Sequence, residues 1–177
     1  MQDVAREAGV SPITAWRALN QPQVVAESTT ARVKSAVEAT GYVPNAVARS
    51  LVSNRSRTVG AVVPSVSNWT FSDAIQGMSD TLRESGYELL LGCSDYDEGT
   101  EEQVVRTMIG RQPDGLVLTG RSHTDGTRRL VERAGLPVVE IWDHGGHPLD
   151  MSVGFSNHAI GAAVAGFLLG KGYRRPG

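Results

Sequence analysis

From residue 58 onward, short apolar runs alternate with longer helix-compatible stretches, and that alternation leaves few folds open. The strand-like runs fall at 58–63, 87–93, 115–119, 138–142 and 152–155; the helical stretches fall at 71–85, 98–111, 124–134 and 158–170. Helices set between short, mostly buried strands predict an α/β core built on a parallel sheet with right-handed crossovers. Ligands of such open sheets gather outside the carboxyl ends of the strands. Candidate site residues therefore belong to 64–71, 94–97, 120–123 and 143–144.

Residues 1–57 have a different character. The chain of 177 residues has a formal net charge of −2, but its halves differ in sign. Residues 1–57 hold seven Lys or Arg against four acids, and residues 58–177 hold ten against fifteen. A basic module that could meet a polyanion is thus joined to an acidic body that would not. The proportions of hydrophobic and charged residues, 40% and 20%, are those of a globular protein. No apolar run approaches the roughly 20 residues of a membrane span, and the start lacks a basic patch followed by an apolar core. One cysteine, Cys93, excludes an intrachain disulfide or a multi-cysteine zinc site and fits a reducing cytoplasm, the expected location.

The first module reads as three short helices. Residues 3–8 are helix-compatible, and Gly9 is placed as a stop. Ser11 is a good N-cap with Pro12 at the first helical position, which predicts a second helix over 12–19. A third, over 28–40, ends at Gly41. Two helices joined by so short a turn match the helix-turn-helix, whose second member enters the major groove.

The run VAREAGVSPITAWRALN at 4–20, followed by GYVPNAVARSL at 41–51, resembles the headpiece and hinge of the lactose-repressor family of bacterial transcription regulators. By that resemblance Ser11 caps the recognition helix, and Pro12, Ile13 and Arg17 face the groove. Thr14 falls where a phosphate-contacting threonine is common, and Asn20 where a polar residue follows the helix. The chemistry of Arg17 agrees, since a guanidinium can take guanine O6 and N7 together; a phosphate contact is its alternative. Trp16 departs from the family pattern, which has a small serine there. It is an exposed stacking or groove-filling group, a misfit that weakens operator contact, or a side chain packed on the headpiece core. Family members usually have a few more residues ahead of Met1, so a phosphate-binding arm is expected to be lost.

Residues 45–52 could form a short helix after Pro44, with Arg49, Arg55 and Arg57 around it. Alone it falls below the roughly 12 to 15 residues that an isolated helix needs, so it is expected to order on DNA beside a second copy. The resemblance places Asn45, Ala48 and Leu51 against DNA, with Leu51 as the apolar wedge in the minor groove; burial in the linker is the alternative for Leu51. The expected organisation is a headpiece at 1–44, a hinge and linker at 45–57, and the first subdomain of an effector-binding core at 58–177.

The body resembles the N-terminal half of that family's sugar-binding core, which is like a periplasmic binding protein. VVPS at 62–65, GLVLT at 115–119 and SHT at 122–124 echo members concerned with gluconate. The resemblance implies a homodimer on a double-stranded DNA operator, with a sugar or sugar-acid effector and no cofactor. Arg121 suits an aldonate carboxylate through a bidentate fork, or is a solvated loop arginine. Ser65, Phe71 and His123 are further effector candidates, with core packing the alternative for Phe71.

Enzymatic readings find little to use. His144 and His147 flank a glycine loop with no third ligand at a recognised spacing. The acids Glu98, Glu101 and Glu102 read as favourable charge in the first turn of a helix. No dinucleotide fingerprint, phosphate loop or nucleophile elbow is present. A stand-alone sugar-binding module would account for the body but leave the first 57 residues without purpose. The chain ends where the family crosses into its second subdomain, and Pro176 suits that strand poorly. It is therefore expected to be a fragment with half the effector contacts and no normal response to inducer.

Overall fold

The computed structural model describes residues 1–43 and 55–174, which fall in two compact units, Met1–Ser53 and Asn54–Gly177. Asn45, Ala48 and Leu51, and with them the expected hinge helix, lie outside the described residues.

The first unit contains α1 (Gln2–Glu7), α2 (Pro12–Asn20), a 3₁₀ turn (Pro22–Val24) and α3 (Glu27–Thr40). Gly9 ends α1 in the left-handed region at φ +63, a conformation costly for any residue with a Cβ. Its N–H returns to Arg6 O and that of Val10 to Ala5 O, so the carbonyls at the helix end are satisfied within the turn. Ser11 then starts α2: its backbone is extended and its Oγ accepts from Thr14 N at 3.1 Å. The buried core is Val4, Ala5, Ala8, Ala15, Ala18, Val33 and Ala36, and the many alanines let three short helices approach closely.

The second unit is a parallel sheet of five strands in the order β2-β1-β3-β4-β5. Along the chain these are β1 (Thr58–Val63), α4 (Trp69–Glu84), β2 (Glu88–Cys93), α5 (Glu98–Ile109), β3 (Gly115–Thr119), α6 (Asp125–Ala134), β4 (Val138–Asp143), β5 (Met151–Phe155) and α7 (Asn157–Gly170). The parallel α/β architecture expected from sequence is present. The helix expected over 71–85 opens two residues earlier because Asn68 caps it, its side chain accepting from Thr70 N. Asp97, Thr124 and Ser156 cap α5, α6 and α7 in the same manner. Val62, Val105, Met108, Leu116, Leu118, Val131 and Val138 form the core between the sheet and its helices. No residue of α7 is buried, although Ile160, Val164 and Phe167 are apolar.

At the amino end of the sheet, Asp114 holds the incoming chain. Its carboxylate accepts from Ser56 N at 2.9 Å, Ser56 Oγ at 3.2 Å and Arg57 N at 3.0 Å. Residues 56 and 57, read from sequence as part of the linker, are thus bonded to the body.

Candidate nucleic-acid interface and effector cleft

On α2 the 3.6-residue period separates two faces. Ala15 and Ala18 are buried on one, and Pro12, Ile13, Trp16, Arg17 and Asn20 form a continuous exposed stripe on the other. Five of the residues expected to meet DNA are thereby brought together. Thr14 stands beside them, half-buried, with its hydroxyl 2.9 Å from that of Ser11. Asn20 donates through Nδ2 to Trp16 O at 2.9 Å and so closes the last turn. Trp16 is 38% exposed and Ile13 65%. The stripe offers one guanidinium beside apolar surface, a combination that can hydrogen-bond a guanine edge and cover a thymine methyl.

In the second unit a cleft of about 630 Å³ opens at the carboxyl ends of the strands, where the sheet topology predicts a ligand. Phe71 and Trp142 form its apolar side, with ring centroids 4.7 Å apart, and Phe155 meets Trp142 edge-on at 6.0 Å. Trp142 has φ +83, a sparsely populated conformation for a residue with a bulky side chain, held where β4 leaves the sheet. The polar side contains Arg121, Asp143 and Asn157. The buried Nε of Arg121 has no hydrogen-bond partner among the described residues, and a Cβ on Gly146 would run into its guanidinium. Aromatic faces opposite a guanidinium and a carboxylate suit a small polyol that carries an anionic end.

Two of the four effector candidates, Phe71 and Arg121, line this cleft. The other two are engaged elsewhere. Ser65 Oγ lies 2.8 Å from Ser67 Oγ and accepts from Ser67 N, which folds its own turn. The side chain of His123 is wholly buried behind the cleft: Nδ1 lies 2.7 Å from Glu101 Oε1, and Nε2 lies 3.2 Å from Glu140 Oε1. The second contact has the distance of an ion pair without the direction of a hydrogen bond.

The neighbours of His123 are held by the same helix. Ser122 Oγ donates to Glu98 Oε1, and Thr124 Oγ1 donates to Glu102 Oε2 at 2.7 Å. The Thr124 hydroxyl, with help from Arg106, keeps the Glu102 carboxyl below the usual carboxylate range. The Thr100 N–H does the same for Asp97, the α5 cap. Glu101 stands in the first turn of its helix as expected, but it and Glu140, which the sequence did not single out, are both buried. A charged residue within the apolar run of β4 was the available signal, since a buried carboxylate requires a partner.

A helix-turn-helix unit with an exposed stripe that holds one arginine, followed by a parallel sheet with a cleft at its carboxyl edge, is the arrangement of a regulator built from a helix-turn-helix headpiece and a periplasmic-binding-protein-like core. Residues 1–45 match the family described as bacterial regulatory proteins of the lacI family, and residues 56–176 match the periplasmic binding proteins and sugar binding domain of the LacI family. The chain belongs to the LacI family. It is 42% identical to the HTH-type transcriptional regulator GntR of Pseudomonas aeruginosa, over 99% of this chain and 51% of that one. The GntR of Escherichia coli is 32% identical over 98% of this chain and 53% of its own. A crystal structure of a LacI-family transcriptional regulator from Silicibacter pomeroyi superposes with a TM-score of 0.89 at 37% identity, covering 98% of this chain and 52% of that chain. The chain thus spans about half the length of the curated relatives it matches. The headpiece match leaves no place for a sugar-binding module alone. Among the described residues, no helix is long and apolar enough to cross a membrane.

Proposed function

We propose that this chain is the operator-binding headpiece and first effector-facing subdomain of a cytoplasmic transcriptional repressor of sugar-acid metabolism, without catalytic activity of its own. The exposed stripe of Pro12, Ile13, Trp16, Arg17 and Asn20 on the capped helix α2 carries this reading. In a homodimer two such helices meet the half-sites of a near-palindromic operator in adjacent major grooves. Arg17 reads a guanine, Ile13 and Trp16 cover neighbouring base edges, and Ser11 and Thr14 hold the backbone. From the hinge, Asn45, Ala48 and Leu51 reach the minor groove, with Leu51 as the wedge.

The effector is an aldonate of the gluconate type, with its carboxylate on Arg121 and its carbon chain against Phe71 and Trp142. In the longer relatives a ligand bound at this edge would change operator affinity through a coupling free energy between the two sites. Fluorescence anisotropy of a labelled operator over a salt series tests the DNA reading. The expected result is protein-dependent binding that weakens steeply as salt rises and is lost in Arg17→Ala. Binding that ignores salt, or survives that substitution, would remove it.

A further inference from the structure

Helix α5 and the loop after β3 are joined residue by residue. Glu98, Glu101 and Glu102 occupy positions i, i+3 and i+4 of the helix and so share one face. They meet Ser122, His123 and Thr124 in the same order, one carboxylate to each successive residue. Arg121, the cationic group of the cleft, immediately precedes that triplet. His123 extends the attachment to the sheet, because its second ring nitrogen faces Glu140 on β4. Arg128 of α6 closes the other side, donating from Nη2 to Arg121 O at 3.2 Å. The seat of Glu102 is tight, since a Cβ on Gly126 would run into its carboxylate.

We infer that Glu98, Glu101 and Glu102 are positioning residues that lock the loop bearing Arg121, so that the guanidinium faces the cleft already ordered and selects an anionic ligand over a neutral sugar. The buried Nε–H of Arg121, without a partner among the described residues, supports this. A flexible arginine would turn that donor to water, and only a fixed side chain keeps it dry. Preorganisation of this kind removes the ordering cost that a free arginine side chain would impose on binding. That the ligand is anionic rests on the effector reading above; the lock itself can be tested without any ligand.

Nε–H exchange with water, followed by NMR on the ¹⁵N-labelled 177-residue chain with the signal assigned through Arg121→Lys, reads the lock directly. Arg121 is expected to exchange at least about tenfold more slowly than the surface arginines. The double substitution Glu98→Ala and Glu102→Ala should erase that difference with the thermal melt retained. Glu98→Gln with Glu102→Gln should preserve it, because the amide oxygens still accept from Ser122 and Thr124. Ser122→Ala approaches the same contact from the loop and is read in the same way should the double variant not fold. Unchanged protection in the alanine variants, or equal loss in the glutamine pair, would overturn the lock. Gluconate and glucose titrations of the wild-type chain then address the effector reading separately.

Discussion

The rings of Phe71 on α4 and Trp142 on β4 lie 4.7 Å apart at an interplanar angle of 46°, joining the first helix of the sheet domain to its fourth strand at the mouth of the cleft. Phe71 is buried, so its ring serves the fold as well as the cleft. Phe71→Ala is expected to lower stability by about 3 kcal/mol. Urea unfolding measures the loss, and the emission of Trp142 should shift to the red as water reaches its ring. A variant as stable as the wild type would show that the ring pair contributes nothing to packing.

Arg17 provides a test of base reading that separates it from charge attraction. Arg17→Lys keeps the charge but loses the planar fork. Discrimination between an operator and its guanine-substituted mutants is expected to fall by about 1 to 3 kcal/mol, with the salt slope little changed. Competition anisotropy against mutated operators checks this. A phosphate-only role would weaken binding equally on every sequence.

Asp114 makes three hydrogen bonds to residues 56 and 57. Asp114→Ala leaves those donors to water and is expected to cost about 1 to 3 kcal/mol. Amide exchange of Ser56 and Arg57 should quicken well beyond that of β1. Equal exchange in both proteins would mean that the carboxylate does not hold the incoming chain.

Acid stability follows from Asp97 and Glu102. The N–H of Thr100 and the hydroxyl of Thr124 hold these carboxyls below their ordinary values in the folded protein. Their contribution is complete above the unfolded carboxylate range and disappears as pH falls through the folded values. Urea midpoints from about pH 6 down to about pH 3 should therefore decline less steeply in Asp97→Asn with Glu102→Gln than in the wild type. Parallel curves would assign the acid sensitivity to other groups.

Much of the architecture was legible because local signals agreed with one another. Gly9, Ser11 and Pro12 specify a turn and a helix start through backbone conformation alone, and the structure has both. The apolar runs before residues 64, 94, 120 and 143 placed the strand ends, and with them Phe71 and Arg121, because a parallel sheet puts all those ends on one edge. What could not be read was pairing across the fold. Glu101 looks like any helix-start acid until β3 brings His123 against it, 22 positions later. His123 looks like a ligand residue until Glu140 arrives from the next strand. Ser65 is expected at a cleft from its place after β1, and its contact with the hydroxyl of Ser67, 2.8 Å away, is one that spacing alone does not announce. Trp16 shares its helix with the buried Ala15 and Ala18, yet at 38% exposure it keeps a face to solvent, a division that no residue of the helix announces by itself.

All five strands run in one direction, so the core between sheet and helices, from Val62 to Val138, shares no residue with the lining of the cleft, and the buried Phe71 is the ring that serves both packing and cleft wall. Mutations at the rim can therefore accumulate while the hydrocarbon interior stays as it is. Evolution could diversify such a sheet by editing its lips without touching the spine.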